Sequence, residues 1–167
     1  MLTRLPAPLH RGLYRLAHGV RRMLWTLRRP TVEGVRVLAF NAQGHLLMQR
    51  HSYGSDDWMF PGGGMDRGEH PLAASERELR EETGCRLTGA LEIQTVVEDL
   101  FGATNIVHVV IGRTDSTPVP DGREVIEAGF FPLDALPEPM TQDLRQGLQV
   151  WMETYRRASG QGTPTLK

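Results

Sequence analysis

Apolar residues recur along this chain with two different spacings, and the switch between them marks out its elements. Near the start, Leu5, Leu9, Leu13, Leu16, Val20, Met23, Leu24 and Leu27 return at steps of three or four, which predicts an amphipathic helix over residues 6–29. Pro30 ends it. Residues 32–40 then read as a strand carrying Val35, Val37, Leu38 and Phe40. Asn41-Ala42-Gln43-Gly44 reads as a turn, and residues 45–50 return as a second strand. After a polar loop over 52–57, Trp58-Met59-Phe60-Pro61 predicts a short strand leading into three glycines. Residues 72–83 are rich in Ala, Leu, Glu and Arg, all good helix formers, with Pro71 suited to the first turn and Gly84 to the stop. Residues 91–100 and 105–113 predict a hairpin about Phe101-Gly102-Ala103-Thr104. The stretch 114–123 is a surface loop, 127–132 a last strand, and 140–157 a helix with Leu144, Leu148, Trp151, Met152 and Tyr155 on one side. The tail from residue 159 is expected to be disordered.

Strands on both sides of an acidic helix, followed by a final helix, predict an α/β sandwich. At 167 residues one domain is expected. It runs over 31–158, between a helical segment at 1–30 and a tail at 159–167. There are no internal repeats.

Charge changes the reading of the first segment. Arg4, Arg11, Arg15, Arg21, Arg22, Arg28 and Arg29 all precede the first acidic residue, Glu33, and the remainder is acidic. An acidic body argues against nucleic-acid binding through the domain, and no sequence-specific nucleic acid is expected. The basic segment itself fits three readings: a helix packed on the domain or on a second subunit as a homodimer, a membrane-surface helix making peripheral contact through residues 5–29, or a transit peptide, against which its lack of serine weighs. No apolar stretch approaches the length needed to span a membrane. A single cysteine, Cys85, forbids an internal disulfide and reads as a buried small hydrophobe. A cytoplasmic location is expected.

The chemistry concentrates in residues 63–85, GGMDRGEHPLAASERELREETGC. On the expected helix Glu78 and Glu82 are four apart and Glu78 and Glu81 three apart, so they share a face. Carboxylates crowded there repel one another unless a cation sits between them, and hard divalent ions such as Mg²⁺ and Mn²⁺ take oxygen ligands while keeping waters for substrate phosphates. Gly62-Gly63-Gly64 can bring backbone close to a ligand.

Gly63, Glu69, Arg77, Glu78, Glu81, Glu82 and Gly84 resemble the box of the Nudix family, G-x5-E-x7-R-E-U-x-E-E-x-G-U with U bulky and apolar; only Cys85 is a soft match. The resemblance implies the Nudix fold, a mixed sheet between helices, covering about residues 32–157. It also implies hydrolysis of a pyrophosphate bond in a nucleoside triphosphate or nucleoside diphosphate derivative, with Mg²⁺, or Mn²⁺, as cofactor. By the same resemblance Glu69 forms a salt bridge with Arg77, and Arg77 orients the loop. Glu78 and Glu82 are the leading metal ligands, Glu81 a further ligand or water-orienting base, and the backbone carbonyl of Gly62 or Gly63 completes the site. The general base lies in the helix or in a later loop, where Glu124 and Glu127 are candidates. Gly63, Gly64, Trp58 and Arg50 are candidates for substrate contact; for Trp58 the competing reading is core packing, and for Arg50 and the loop at 51–53 a surface position. Family markers for ADP-ribose or dinucleoside polyphosphates are absent where Leu100, Phe101 and Gly102 stand, so the substrate is unassigned. A catalytically silent nucleotide-binding module, recruited to a membrane by residues 5–29, is the alternative.

Overall fold

The computed structural model describes residues 29–159, so the helix expected over 6–29 and the tail from 159 lie, but for Arg29 and Ser159, outside the described residues. Within them the strands are β1 (Thr31–Phe40), β2 (Leu46–His51), β3 (Thr88–Leu100), β4 (Ala103–Arg113) and β5 (Val125–Phe131), and the helices are α1 (Pro71–Thr83) and α2 (Gln142–Ala158). The strands form a five-stranded sheet ordered β3-β4-β1-β2-β5. β1 runs parallel to β4 from Thr31↔Thr104 to Phe40↔Arg113, while the other pairs are antiparallel. This is the Nudix-type mixed sheet between helices.

Period-two alternation explains how both faces are covered. Val37, Ala39, Leu47 and Val110 point to one side and pack with Leu79 of α1 and with Cys85 and Leu87 beyond it. Their neighbours Leu38, Leu46, Met48, Val109 and Ile111 point to the other side and pack with Phe60, Met140, and Leu148 and Trp151 of α2. A sheet buried on both faces needs near-continuous apolar runs, which β1 and β4 supply.

α1 begins where His70 Nδ1 accepts a hydrogen bond from the Leu72 N–H at 3.3 Å, with Pro71 in the first turn. It ends at Gly84, whose φ of 69° is left-handed and whose N–H donates to the Arg80 carbonyl. Glycine takes that conformation without strain.

One expected element forms differently. Residues 58–61 are not a strand; only Met59 bridges, exchanging both backbone hydrogen bonds with Gln49 of β2. The chain then crosses to β1, where the Pro61 and Gly63 carbonyls accept from the Val37 and Val35 N–H groups. β1 and β2 pair at Phe40↔Leu46, and the segment from Met59 to Met65 occupies the opening between them. Pro61 has no N–H to donate and Gly62 turns at φ 148°, so no regular ladder can run through.

Leu79 is fully buried where α1 meets the sheet. Leu79→Ala is expected to lower stability by about 2–5 kcal/mol, measured by urea denaturation. A loss under about 1 kcal/mol would show that α1 is held by something other than this contact.

Candidate active site

The loop of glycines is fixed from two sides. A Cβ on Gly62 would lie 2.2 Å from the Val35 carbonyl oxygen, and one on Gly63 would lie 2.6 Å from Glu78 Oε2. Neither position can carry a side chain unless its neighbours move. The Gly62 N–H donates to Glu82 Oε2 at 3.0 Å, which ties the loop to α1.

Arg77 braces the same loop. Its Nε donates to Glu69 Oε1 at 2.9 Å and its Nη2 to Glu69 Oε2 at 2.7 Å, a bidentate pair. Nη2 also donates to the Gly64 carbonyl at 2.9 Å and Nη1 to Glu78 Oε1 at 2.7 Å. The Arg77 hydrogen bonds, helped by the Asp66 N–H, hold the Glu69 carboxyl down at about 2. Arg77 in turn is held more firmly charged than usual, chiefly by Glu69.

Glu78 behaves in the opposite way. Burial pushes its carboxyl above the ordinary range, and the charges of Glu82 and Glu81 add to that push, while Arg77 opposes it. Glu82 is only 5% exposed. Its Oε1 lies 3.2 Å from His51 Nε2, so each of its oxygens has a neighbour that can donate. Glu81 stands more in solvent, 3.7 Å from Arg77 Nη1. An all-oxygen set with surplus negative charge suits a hard divalent cation. Among the described residues no three such side chains converge closely enough to cage an ion by themselves. Mg²⁺ does not need that, since it commonly uses one or two carboxylates and completes its shell with water and substrate phosphates. The residues therefore fit Mg²⁺ or Mn²⁺, with Glu78 and Glu82 as the side chains that would hold it. Of the expected backbone ligands, Gly63 has its carbonyl engaged by Val35, whereas Gly62 contacts Glu82 through its N–H.

A cleft of about 1360 Å³ opens beside the loop, lined among others by Tyr53, Gly62, Gly63, Gly64, Phe101 and Asn105. Arg50, Trp58 and Glu127 are absent from its lining and form a separate group. Arg50 Nη1 lies 3.5 Å from Glu127 Oε2, and its guanidinium stacks over Trp58. Trp58 packs edge-on against Phe131 in the α2-side core. The position of Arg50 follows from strand alternation, because it shares the parity of Leu46 and Met48 and so faces away from α1. Glu124 accepts a hydrogen bond from the Tyr53 hydroxyl, and its backbone carbonyl accepts from the Ser52 N–H at 2.8 Å.

The loop at 51–53, weighed between phosphate or base contact and a surface position, places His51 beside Glu82. His51 is the last residue of β2, and its Nε2 lies 3.1 Å from Gln49 Nε2 as well as beside Glu82. The signal was present: Leu47, Gln49 and His51 share one parity, that of the α1 side.

The family model described as "NUDIX domain" matches residues 30–151. The RNA pyrophosphohydrolase of Bartonella bacilliformis is 45% identical over 80 residues, covering 43% of this chain and 45% of that protein. That of Pseudoalteromonas translucida is 44% identical over 90 residues, covering 54% of this chain and 50% of that one. The chain thus spans about half the length of the relatives it matches. Among solved structures, a MutT NUDIX hydrolase from Burkholderia pseudomallei superposes with a TM-score of 0.64 at 25% identity, covering 71% of this chain and 96% of that chain. A bifunctional NMN adenylyltransferase/ADP ribose pyrophosphatase from Francisella tularensis, complexed with AMP and a Mn ion, gives 0.61 at 21% identity, covering 84% of this chain and 47% of that one.

The opposite shifts of Glu69 and Glu78 have opposite consequences for stability. The depressed Glu69 carboxyl stabilises the fold above the unfolded value near 4.5, and that contribution is lost as pH falls towards about 2. The melting-temperature gap between the wild type and Glu69→Gln should be full at neutral pH and close below pH 4.5. The raised Glu78 carboxyl weakens the fold as pH rises past the unfolded value. Metal-free Glu78→Gln should accordingly melt higher than wild type at neutral pH, with the advantage shrinking in acid. A lower melting temperature for Glu78→Gln at neutral pH would contradict the assigned crowding.

Proposed function

The chain belongs to the Nudix family, and from that premise we propose that it is a divalent-metal-dependent pyrophosphohydrolase acting on a nucleoside triphosphate or a nucleoside diphosphate derivative. The carrying observation is the pair Glu78 and Glu82, a half-buried and a buried carboxylate one helical turn apart, with Glu78 disfavoured as an anion by desolvation and by its neighbours. A divalent cation relieves that repulsion.

Mg²⁺ or Mn²⁺, when bound, supplies positive charge to the phosphate oxygens and makes water a better nucleophile. Glu78 and Glu82 are the residues that would hold it at the loop. The Gly62 N–H and His51 fix Glu82, and Arg77, clamped by Glu69, fixes both Glu78 and the Gly64 carbonyl. Glu81, the most exposed of the three, is free to orient water or take its proton. Of the later candidates, Glu124 is joined to Tyr53 on the cleft wall and is better placed than Glu127, which pairs with Arg50.

The RNA pyrophosphohydrolase relatives raise a second substrate class, an RNA 5′ end. The charges of the cleft support the smaller substrate. Glu33, Asp66, Glu98, Asp99 and Asp143 line it against Arg36 and Arg67, and Arg36 is already paired with Glu98 at 2.8 Å. Such a lining repels a polyanionic strand, whose binding depends on neutralising successive phosphates. The arginine-rich, acid-free sequence before Pro30 supports peripheral contact with an anionic membrane.

Nucleoside triphosphates, nucleoside diphosphate derivatives and 5′-triphosphorylated RNA, assayed for metal-dependent phosphate release, separate these readings. Turnover of a mononucleotide is expected. Glu78→Gln and Glu82→Gln should each cut it by about a hundredfold or more while remaining folded. Full activity in both variants would sink the site assignment, and silence on every compound would favour a nucleotide-binding module without catalysis.

A further inference from the structure

We infer that His51 is a positioning residue for Glu82, holding the carboxylate in the orientation that receives the divalent cation and so setting metal affinity. This rests on the metal-dependent reading of the site.

The backbone directs His51 towards Glu82. The pairing of β2 with β5 shifts register after Arg50, so that Arg50 faces Glu127 but His51 faces Val125. The extra residue, Ile126, belongs to β5, so β2 keeps its alternation and His51 stays on the α1 side with Leu47 and Gln49. The His51 side chain is 12% exposed, and its ring stacks on Tyr53 with centroids 5.1 Å apart and planes 23° apart. Both its strand and its stacking partner therefore restrict where Nε2 can point.

Hydrogen bonding then decides what Nε2 does there. Glu82 is buried, so its two oxygens need donors. Gly62 N–H serves Oε2 at 3.0 Å, and the other oxygen, Oε1, has His51 Nε2 at 3.2 Å. A neutral imidazole can donate from Nε2 only in the tautomer that carries its proton there. Nε2 has a single proton; given to Glu82 Oε1 it satisfies a buried carboxylate oxygen, and the fully buried Gln49 side chain 3.1 Å away cannot be served by the same proton. Purely apolar packing of the ring would leave Glu82 Oε1 without that donor. Outer groups that orient a metal ligand typically change metal affinity by about 10- to 100-fold when removed.

The test is Mn²⁺ binding to the full chain, followed by electron paramagnetic resonance, alongside the Mg²⁺ dependence of hydrolysis. His51→Leu should remain folded by circular dichroism and bind Mn²⁺ about 10- to 100-fold more weakly. His51→Gln, whose amide nitrogen reaches the Nε2 position, should recover most of the affinity, whereas His51→Asn, which reaches only the Nδ1 position, should not. In a Glu82→Gln background the leucine substitution should add little further loss, because the two act through one contact. Wild-type Mn²⁺ affinity in folded His51→Leu, equal affinities for the Gln and Asn variants, or an undiminished loss in the Glu82→Gln background would each overturn the inference. Should His51→Leu fail to fold, the Gln-against-Asn comparison still decides. A wild-type chain that neither binds Mn²⁺ nor hydrolyses any nucleotide would overturn the functional reading itself, a result distinct from a metal-binding wild type whose His51 variants match it.

Discussion

The site depends on one close approach, that of the Gly62 backbone to β1 on one side and to Glu82 on the other. There is no room for a Cβ against the Val35 carbonyl, and the Gly62 N–H is committed to the Glu82 carboxylate. Three separate parts of the chain are registered by this contact: β1, the glycine loop and α1. The opening between β1 and β2 makes it possible. A sheet whose two strands paired along their full length would have no edge groups left for the Pro61 and Gly63 carbonyls to meet. The loop therefore takes over β1's hydrogen-bonding groups, and its geometry is as firmly set as that of a strand.

Charge is distributed unevenly across this frame. Arg77 contacts both Glu69 and Glu78, yet the two carboxyls move in opposite directions. Geometry explains the difference. Glu69 receives two parallel N–H bonds and a third from the Asp66 backbone, and these outweigh its desolvation. Glu78, about equally shielded from solvent, receives one bond and has Glu82 and Glu81 as neighbours, so desolvation prevails. The positive charge of Arg77 is thus largely neutralised by the residue that braces it, and Glu78, Glu81 and Glu82 keep their mutual repulsion. A site arranged in this way attracts a cation while its loop stays tied down.

Much of this was legible before any coordinates. The periodicities gave every strand and helix among the described residues to within a few positions, because β1, β4 and α2 have strong, regular apolar patterns. The family resemblance implied Glu69 against Arg77, and helix spacing put Glu78 and Glu82 one turn apart. The failures are of another kind. Residues 58–61 were apolar enough for a strand, but their role depends on where β1 and β2 part, which is a tertiary fact. Trp58 and Arg50 were weighed as substrate contacts; in the fold Arg50 lies over Trp58 and Trp58 packs edge-on against Phe131, contacts that no local pattern reveals. His51 and its loop were weighed between phosphate or base contact and a surface position, and its place beside Glu82 was not foreseen. Its meaning appears only when the end of β2 is set beside a helix residue far along the chain.

Packing and chemistry also share a helix face. Leu79, Glu82 and Thr83 are all buried, and residues three or four apart lie above one another on a helix. Rotating α1 to return Glu82 to water would expose Leu79 and lift it from Val37, Ala39, Leu47 and Val110. The apolar contact therefore keeps a carboxylate where solvation alone would not leave it. Burial of an anion is unfavourable unless hydrogen bonds replace its water, and Gly62 and His51 are the groups in place to do so. What the core imposes, those donors make tolerable, and a divalent cation can complete it. Substitutions in the hydrophobic layer under α1 should for that reason act on metal affinity as well as on stability, since both are set by how far the helix is pressed against the sheet.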